Sequence, residues 1–129
     1  MGLRFAWYDE AKTVMCYRVE GDWNWRDFHA CVRASLFTLH NHPHSVDTLI
    51  DLRGSTRPRM PAGLAAHART FGKKHTPVLS GRAVVIGLPR ADEAALNLSA
   101  DRTLLNQDGG TIYFVDDDAS LKALLESFP

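Results

Sequence analysis

The sequence predicts an α/β fold: an N-terminal β-hairpin followed by repeated strand–helix units, giving a mostly parallel sheet with packed helices. Three observations predict it. β-Branched apolar runs alternate with segments whose apolar residues recur at helical spacing. The connections between them are short. The first two β-type runs follow one another with only a tight link between them.

The runs "LRFAWY" and "TVMCYRVEG", about residues 3–8 and 12–20, are joined by "DEAK" and read as the hairpin. "DWNWRDFHACVRASLFTLHNHP" reads as a helix. Asn24 is a good N-cap, and Asp27 three residues later makes a weak capping box. Trp23 before the cap and Phe28 after it suit a hydrophobic staple. Trp25, Phe28, Val32, Leu36 and Leu39 share one face, and Pro43 ends the element. "SVDTLIDL" is apolar and β-branched, a buried strand ending at Leu52. A helix is expected from about Pro61 to His75, with Leu64, Ala68 and Phe71 as its stripe. "RAVVIGL" is the next strand, "ADEAALNLSADRTLL" the next helix, and the glycine pair behind it a break. "TIYFVD" is the last strand. Asp117 or Asp118 caps a final helix with Leu121, Leu124, Leu125 and Phe128 on its core face. Alternation of this kind favours parallel pairing with right-handed crossovers.

A chain of 129 residues is one domain's length, so residues 1–129 are expected to form a single domain. Fifteen basic and fifteen acidic residues give a net charge of zero, which leaves no basic footprint for nucleic acid. There is no apolar run of membrane-span length and no signal-like or myristoylation pattern at the start. The expectation is a cytoplasmic protein with no membrane insertion. Cys16 and Cys31 fall on a strand and a helix and read as buried free thiols.

The stretch "IDLRGSTRPRMPAGL" places Arg53, Ser55, Thr56, Arg57 and Arg59 between a strand's carboxyl end and a helix. Ligands of open parallel sheets sit at such ends, and helix N-termini favour anions. Three guanidinium groups add bidentate donors, and Pro58 and Pro61 stiffen the loop. The competing reading is a solvated basic connector with its arginines paired to nearby acids such as Asp51. As surface residues, these arginines should add little to folding stability. The glycine pattern does not match a phosphate-binding loop.

Four stretches carry a family likeness: "VEGDWNWRDF" at the first helix, "VDTLIDLRGS" at a strand end, "RAVVIG", and a last strand leading into "DDDASLKALLESF". Together they resemble the STAS/SpoIIAA-like family of anti-sigma-factor antagonists, in particular bacterial STAS-like proteins of this length. CRAL-TRIO lipid-transfer domains share parts of the pattern. The resemblance implies a SpoIIAA-like fold and a regulatory, protein-interaction role. In phosphorylated antagonists of the family a serine at the next helix's N-terminus takes the phosphate. Here "RMPAGL" stands there, with Met60 and Pro61 near the serine position and Arg59 near the acidic one. The phospho-acceptor is missing, and Ser55 and Thr56 lie too early to replace it.

His40, His42 and His44 form the other tempting cluster, but a metal site wants a further ligand at fixed spacing. Pro43 and the turn are expected to scatter these rings, so no metal is expected. Asp116, Asp117 and Asp118 read as helix capping rather than a cation site. No nucleophile elbow or paired-cysteine motif is present, His29 and Cys31 point to different helix faces, and no cofactor is implied. The expected function is a non-catalytic regulatory or protein-interaction module. The alternative is a binder or carrier of a small anionic or amphipathic, lipid-like ligand, using loop 53–59 and a pocket between sheet and helices. A homodimer is expected, because an outer strand carrying Phe5, Trp7 and Tyr8 needs covering.

Overall fold

The structure, a computed structural model, describes residues 2–129. Six strands form one sheet in the order β1-β2-β3-β4-β6-β5. β1 (Leu3–Trp7) and β2 (Val14–Gly21) are the antiparallel hairpin, with Phe5 opposite Tyr17. β3 (Val46–Ser55), β4 (Leu79–Ile86) and β6 (Thr111–Val115) run parallel to β2. β5 (Thr103–Leu105) finishes the far side antiparallel to β6. The helices are α1 (Trp25–Leu39), α2 (Leu64–Ala68), α3 (Arg90–Glu93) and α4 (Asp118–Ser127). The α/β class, the opening hairpin and the mostly parallel centre are as the sequence predicts.

The sheet is covered on both faces, unequally. On one face Met15, Tyr17, Val19, Ile50, Leu52 and Val85 pack with the helix residues Trp25, Phe28, Leu39, Leu64 and Ala68. On the other, Val14, Cys16, Leu49, Val84 and Ile86 gather around Leu121 of α4. Alternation along each strand sends successive side chains to these two clusters. Both long helices start at the predicted caps. Asn24 Oδ1 accepts from the Asp27 amide at 2.8 Å, and Asp117 Oδ1 accepts from the Ser120 amide at 2.8 Å. The staple is indirect: Trp23 lies edge-on to Trp25 (5.1 Å), and Trp25 edge-on to Phe28 (5.8 Å).

Three sequence expectations are corrected. β3 does not end at Leu52 but runs to Ser55, because Glu20 and Gly21 of β2 continue the ladder opposite Gly54 and Ser55. Arg53 and Ser55 are therefore strand residues. The helix expected over residues 61–75 is the five-residue α2, preceded by Gly63 at φ 91° and followed by turns to Gly72 at φ 74°. Its expected stripe is nonetheless buried: Leu64, Ala68 and Phe71 are all in the core.

The helix expected over residues 91–105 is the largest departure. Only α3 and a single 3-10 turn, Ala94–Leu96, form before Asn97 turns left-handed at φ 51°. The Ser99 hydroxyl then accepts from the Thr103 amide at 3.1 Å, a local turn that competes with helix. Thr103–Leu105 becomes a strand, and the glycine pair that follows belongs to a β-hairpin rather than a helix end. Asn106 builds that hairpin: its side-chain oxygen accepts from the Asp108 and Gly110 amides, both at 2.9 Å. The strict strand–helix alternation is thus broken once, at β5.

Candidate functional site

Of the three arginines expected in the loop, Arg53 lies in β3 and Arg57 and Arg59 follow it, and each is engaged by a carboxylate of the same chain. Arg53 points to the α4 face of the sheet. It meets Asp51 through Nε and Nη2, both at 3.0 Å, and Asp118 through Nη1 at 2.9 Å. Arg57 Nη1 donates to Asp22 (2.7 Å) and to the Trp23 carbonyl (3.3 Å). Arg59 Nε donates to Asp92 at 3.1 Å, and the Met60 amide donates to the other oxygen of that carboxylate at 3.2 Å. The three guanidiniums diverge to three anchors rather than converging on one point.

The hydroxyls are divided in the same way. Ser55 Oγ accepts from Trp23 Nε1 (2.9 Å) and from the Arg57 amide (3.2 Å). Thr56 is exposed, with its amide donating to the Gly21 carbonyl at 3.0 Å. Beside the loop lies an open recess of about 400 Å³, bounded by Asp22, Arg57, Pro58 and Met60. Arg57 Nε is buried there without a hydrogen-bond partner. The helix N-terminus offered to an anion is the five-residue α2, whose N-cap Gly63 supplies no side-chain bond.

The electrostatics around Asp51 follow from its burial. Burial alone drives a carboxyl's pKa upward, but the bonds from the Arg53 side chain and amide, with Arg18 at 3.5 Å, hold Asp51 below the usual range. Both cysteines respond the other way. Burial pushes the Cys16 thiol up to about 11 and raises Cys31 as well. Neither is an activated thiolate at neutral pH.

Of the three tract histidines expected to scatter, two stay together. His42 and His44 meet edge-to-face at 4.5 Å, and His42 also stacks on Trp7 at 4.8 Å. Their ring nitrogens turn to backbone carbonyls, His42 Nε2 to Lys12 at 3.0 Å and His44 Nδ1 to Ser45 at 3.3 Å. Among the described residues no three His, Cys, Asp or Glu side chains converge to hold a metal ion.

The constellation that sequence reasoning missed lies on the α1 face. His29 Nε2 and His67 Nδ1 are 2.8 Å apart, and the His67 ring stacks on Trp25 at 4.7 Å and 11°. Trp25 and His29, four apart on α1, share a helix face, which is legible in the sequence. That His67 joins them from 38 residues away is not. Next to the pair is a cleft between sheet and helices, lined by Tyr17, Phe28, His29, Thr48, Phe71 and His75. This is the pocket position the sequence suggested, yet the free room inside is about 20 Å³, on the order of one water.

A larger, open groove of about 620 Å³ runs along the outer side of the hairpin. It lies between β1 and α1, with Leu3, Phe5, Asp27, Ala30, Cys31 and Ala34 on its walls. The apolar side chains of β1 are less exposed than the sequence suggests: Leu3, Phe5 and Trp7 are half-buried against the core, and Tyr8 is 43% exposed. What β1 offers outward is its unpaired backbone edge. Among the described residues no helix is long and apolar enough to cross a membrane. Comparison with protein-family models, curated proteins and solved structures finds no significant match to this chain.

Proposed function

We propose that this protein is a non-catalytic STAS-like interaction module that works by protein contact, beginning with self-association into a homodimer. The observation that carries the reading is the unpaired β1 edge beside the open groove along α1. An edge strand is a template for a further strand unless it is covered. Self-pairing about Phe5 sets Arg4 opposite Ala6, so no like charges meet, and C2 pairing is the commonest way to cover such an edge. The raised cysteine thiols and the self-paired arginines support a role without turnover. Met60 and Pro61 at the position of the family's phospho-acceptor support regulation by contact rather than by phosphorylation of that site.

The second reading, a binder of a small anionic ligand at Arg53, Ser55, Thr56, Arg57 and Arg59, is favoured by one observation, the unpartnered Arg57 Nε beside its recess. Sedimentation of the parent and of Ala6→Lys tests the first reading. A lysine there meets Arg4 of the other copy, so a concentration-dependent dimer should become a monomer whose melting temperature matches that of the parent diluted below its association range. A parent that stays monomeric at high micromolar concentration, while phosphate or sulfate raises its melting temperature, favours the second.

A further inference from the structure

We propose that the His29–His67 pair is a pH-sensitive latch that fastens the segment 64–71 onto α1 at neutral pH and releases it on mild acidification. The pair is at hydrogen-bonding distance, Nε2 to Nδ1 at 2.8 Å. That contact needs one ring nitrogen to donate and the other to accept. One added proton leaves a single cation and, by a tautomer shift, still one donor facing one acceptor; with both rings protonated two N–H groups face each other, two cations are in contact, and the bond is lost.

The surroundings do nothing to neutralise that second charge. On α1, the nearby charged group acting on His29 is Arg33; from the segment 64–75 come His67 and His75, with Lys73 acting on His75. From the sheet the neighbours in the adjoining cleft are Tyr17 and Thr48, both uncharged at neutral pH. The carboxylate of this region, Asp108 in the β5–β6 turn, accepts from the Lys74 amide at 3.1 Å and acts on His75 rather than on the pair. Burial first, then His67 and Arg33, hold the protonation of His29 below an ordinary histidine's 6.5. A folded-state value below the unfolded one means the fastened form binds fewer protons. Its stability is complete above 6.5 and is lost as pH falls from there toward the folded value.

The segment is built to move as a piece. Gly63 at φ 91° and Gly72 at φ 74° bracket it, conformations that glycine adopts without strain. Between them, α2 has five residues, too short to hold itself together without its packing. Its inner side chains, Leu64, Ala68 and Phe71, cover the sheet next to Trp25 and Phe28. Releasing it widens the one-water cleft at Phe28, Thr48 and Phe71 into an open apolar surface.

Hydrogen–deuterium exchange of the full chain, corrected for intrinsic rates, tests the latch between about pH 7.5 and about pH 5.5. In the parent, protection of amides 64–71 should fall below pH 6.5, by up to about tenfold per pH unit for each proton taken up on opening, while amides 48–52 of β3 hold theirs. His29→Gln and His67→Gln should each abolish the pH dependence, and His75→Gln should keep it. His67→Phe, which retains a ring to stack on Trp25, guards against a folding failure of His67→Gln and should also abolish it. A purely structural role would lower protection equally at every pH. That result overturns the latch, as do a parent with no selective loss, a loss that survives in both His29→Gln and His67→Gln, or one that His75→Gln removes.

Discussion

Asp51 and Arg53 are bound to each other by three hydrogen bonds within a single strand. Asp51 Oδ1 accepts from the Arg53 amide and from Nε, and Oδ2 accepts from Nη2, each at 3.0 Å. Residues two apart on a strand share a face, so the pairing is local and well placed. Asp51 is buried while Arg53 reaches past it to Asp118 at the start of α4. The contact therefore fastens the end of β3 to the helix on that face.

Asp51→Asn should destabilise the protein by about 1–3 kcal/mol, the range for a buried charge-assisted bond left with an uncompensated partner. It should also change the acid limb of stability. The folded carboxyl lies below the ordinary 3.8, so its contribution is present above that value and disappears as pH falls through the folded one. Urea denaturation at neutral pH and near pH 3 checks both: the parent should lose more stability on acidification than Asp51→Asn does.

The arginines of residues 53–59 should not be equivalent in stability, contrary to what their surface position in the sequence suggests. Arg57→Ala removes a pair whose acid, Asp22, has an 82% exposed side chain, and should change stability by about 0.5 kcal/mol or less. Arg59→Ala strips a partner from buried Asp92, and Arg53→Ala strips one from buried Asp51. Each should cost about 1–2 kcal/mol. Thermal melts of the three single variants decide this: equal losses would refute the ranking, and melting temperatures equal to the parent's would show that the pairs carry no stability.

Asn106→Ala should be among the most damaging single substitutions. This side chain is 2% exposed, donates to the Phe71 and Gly81 carbonyls at 3.0 and 3.3 Å, and accepts from two turn amides. Removing it orphans several buried backbone groups at once, with an expected loss of about 2–4 kcal/mol. Gly110→Ala should fail alongside it, because an added Cβ would lie 2.1 Å from the Gly81 carbonyl oxygen. Equilibrium unfolding by denaturant measures both.

The two thiols should label at different rates. Cys16 is buried with its thiol raised to about 11, whereas Cys31 is half-buried beside the groove along β1. A thiol-reactive disulfide reagent near pH 8 should modify Cys31 first and Cys16 only after denaturant is added. If the proposed self-association covers the groove, Cys31 labelling should slow as protein concentration rises.

The hairpin, the β3, β4 and β6 strands and the two long helices were legible in the chain alone. Their hydrophobic period and their caps, Asn24 and Asp117, lie within a few residues of each other. Competition from Asp51 for Arg53 was equally legible, since a two-residue spacing on a strand is a local fact. Packing between distant segments set the rest. The segment after α3 has helical composition, but Ser99 and Asn106 turn it and β6 supplies a ladder for Thr103–Leu105, a gain that propensity does not contain. The end of β3 was extended by Glu20 and Gly21 of another strand. Arg59 found Asp92 across 33 positions, and His29 found His67 across 38. A guanidinium or an imidazole takes its role from the group within about 3 Å of it. Which group that is depends on how distant segments pack, and a local window of sequence does not hold that information.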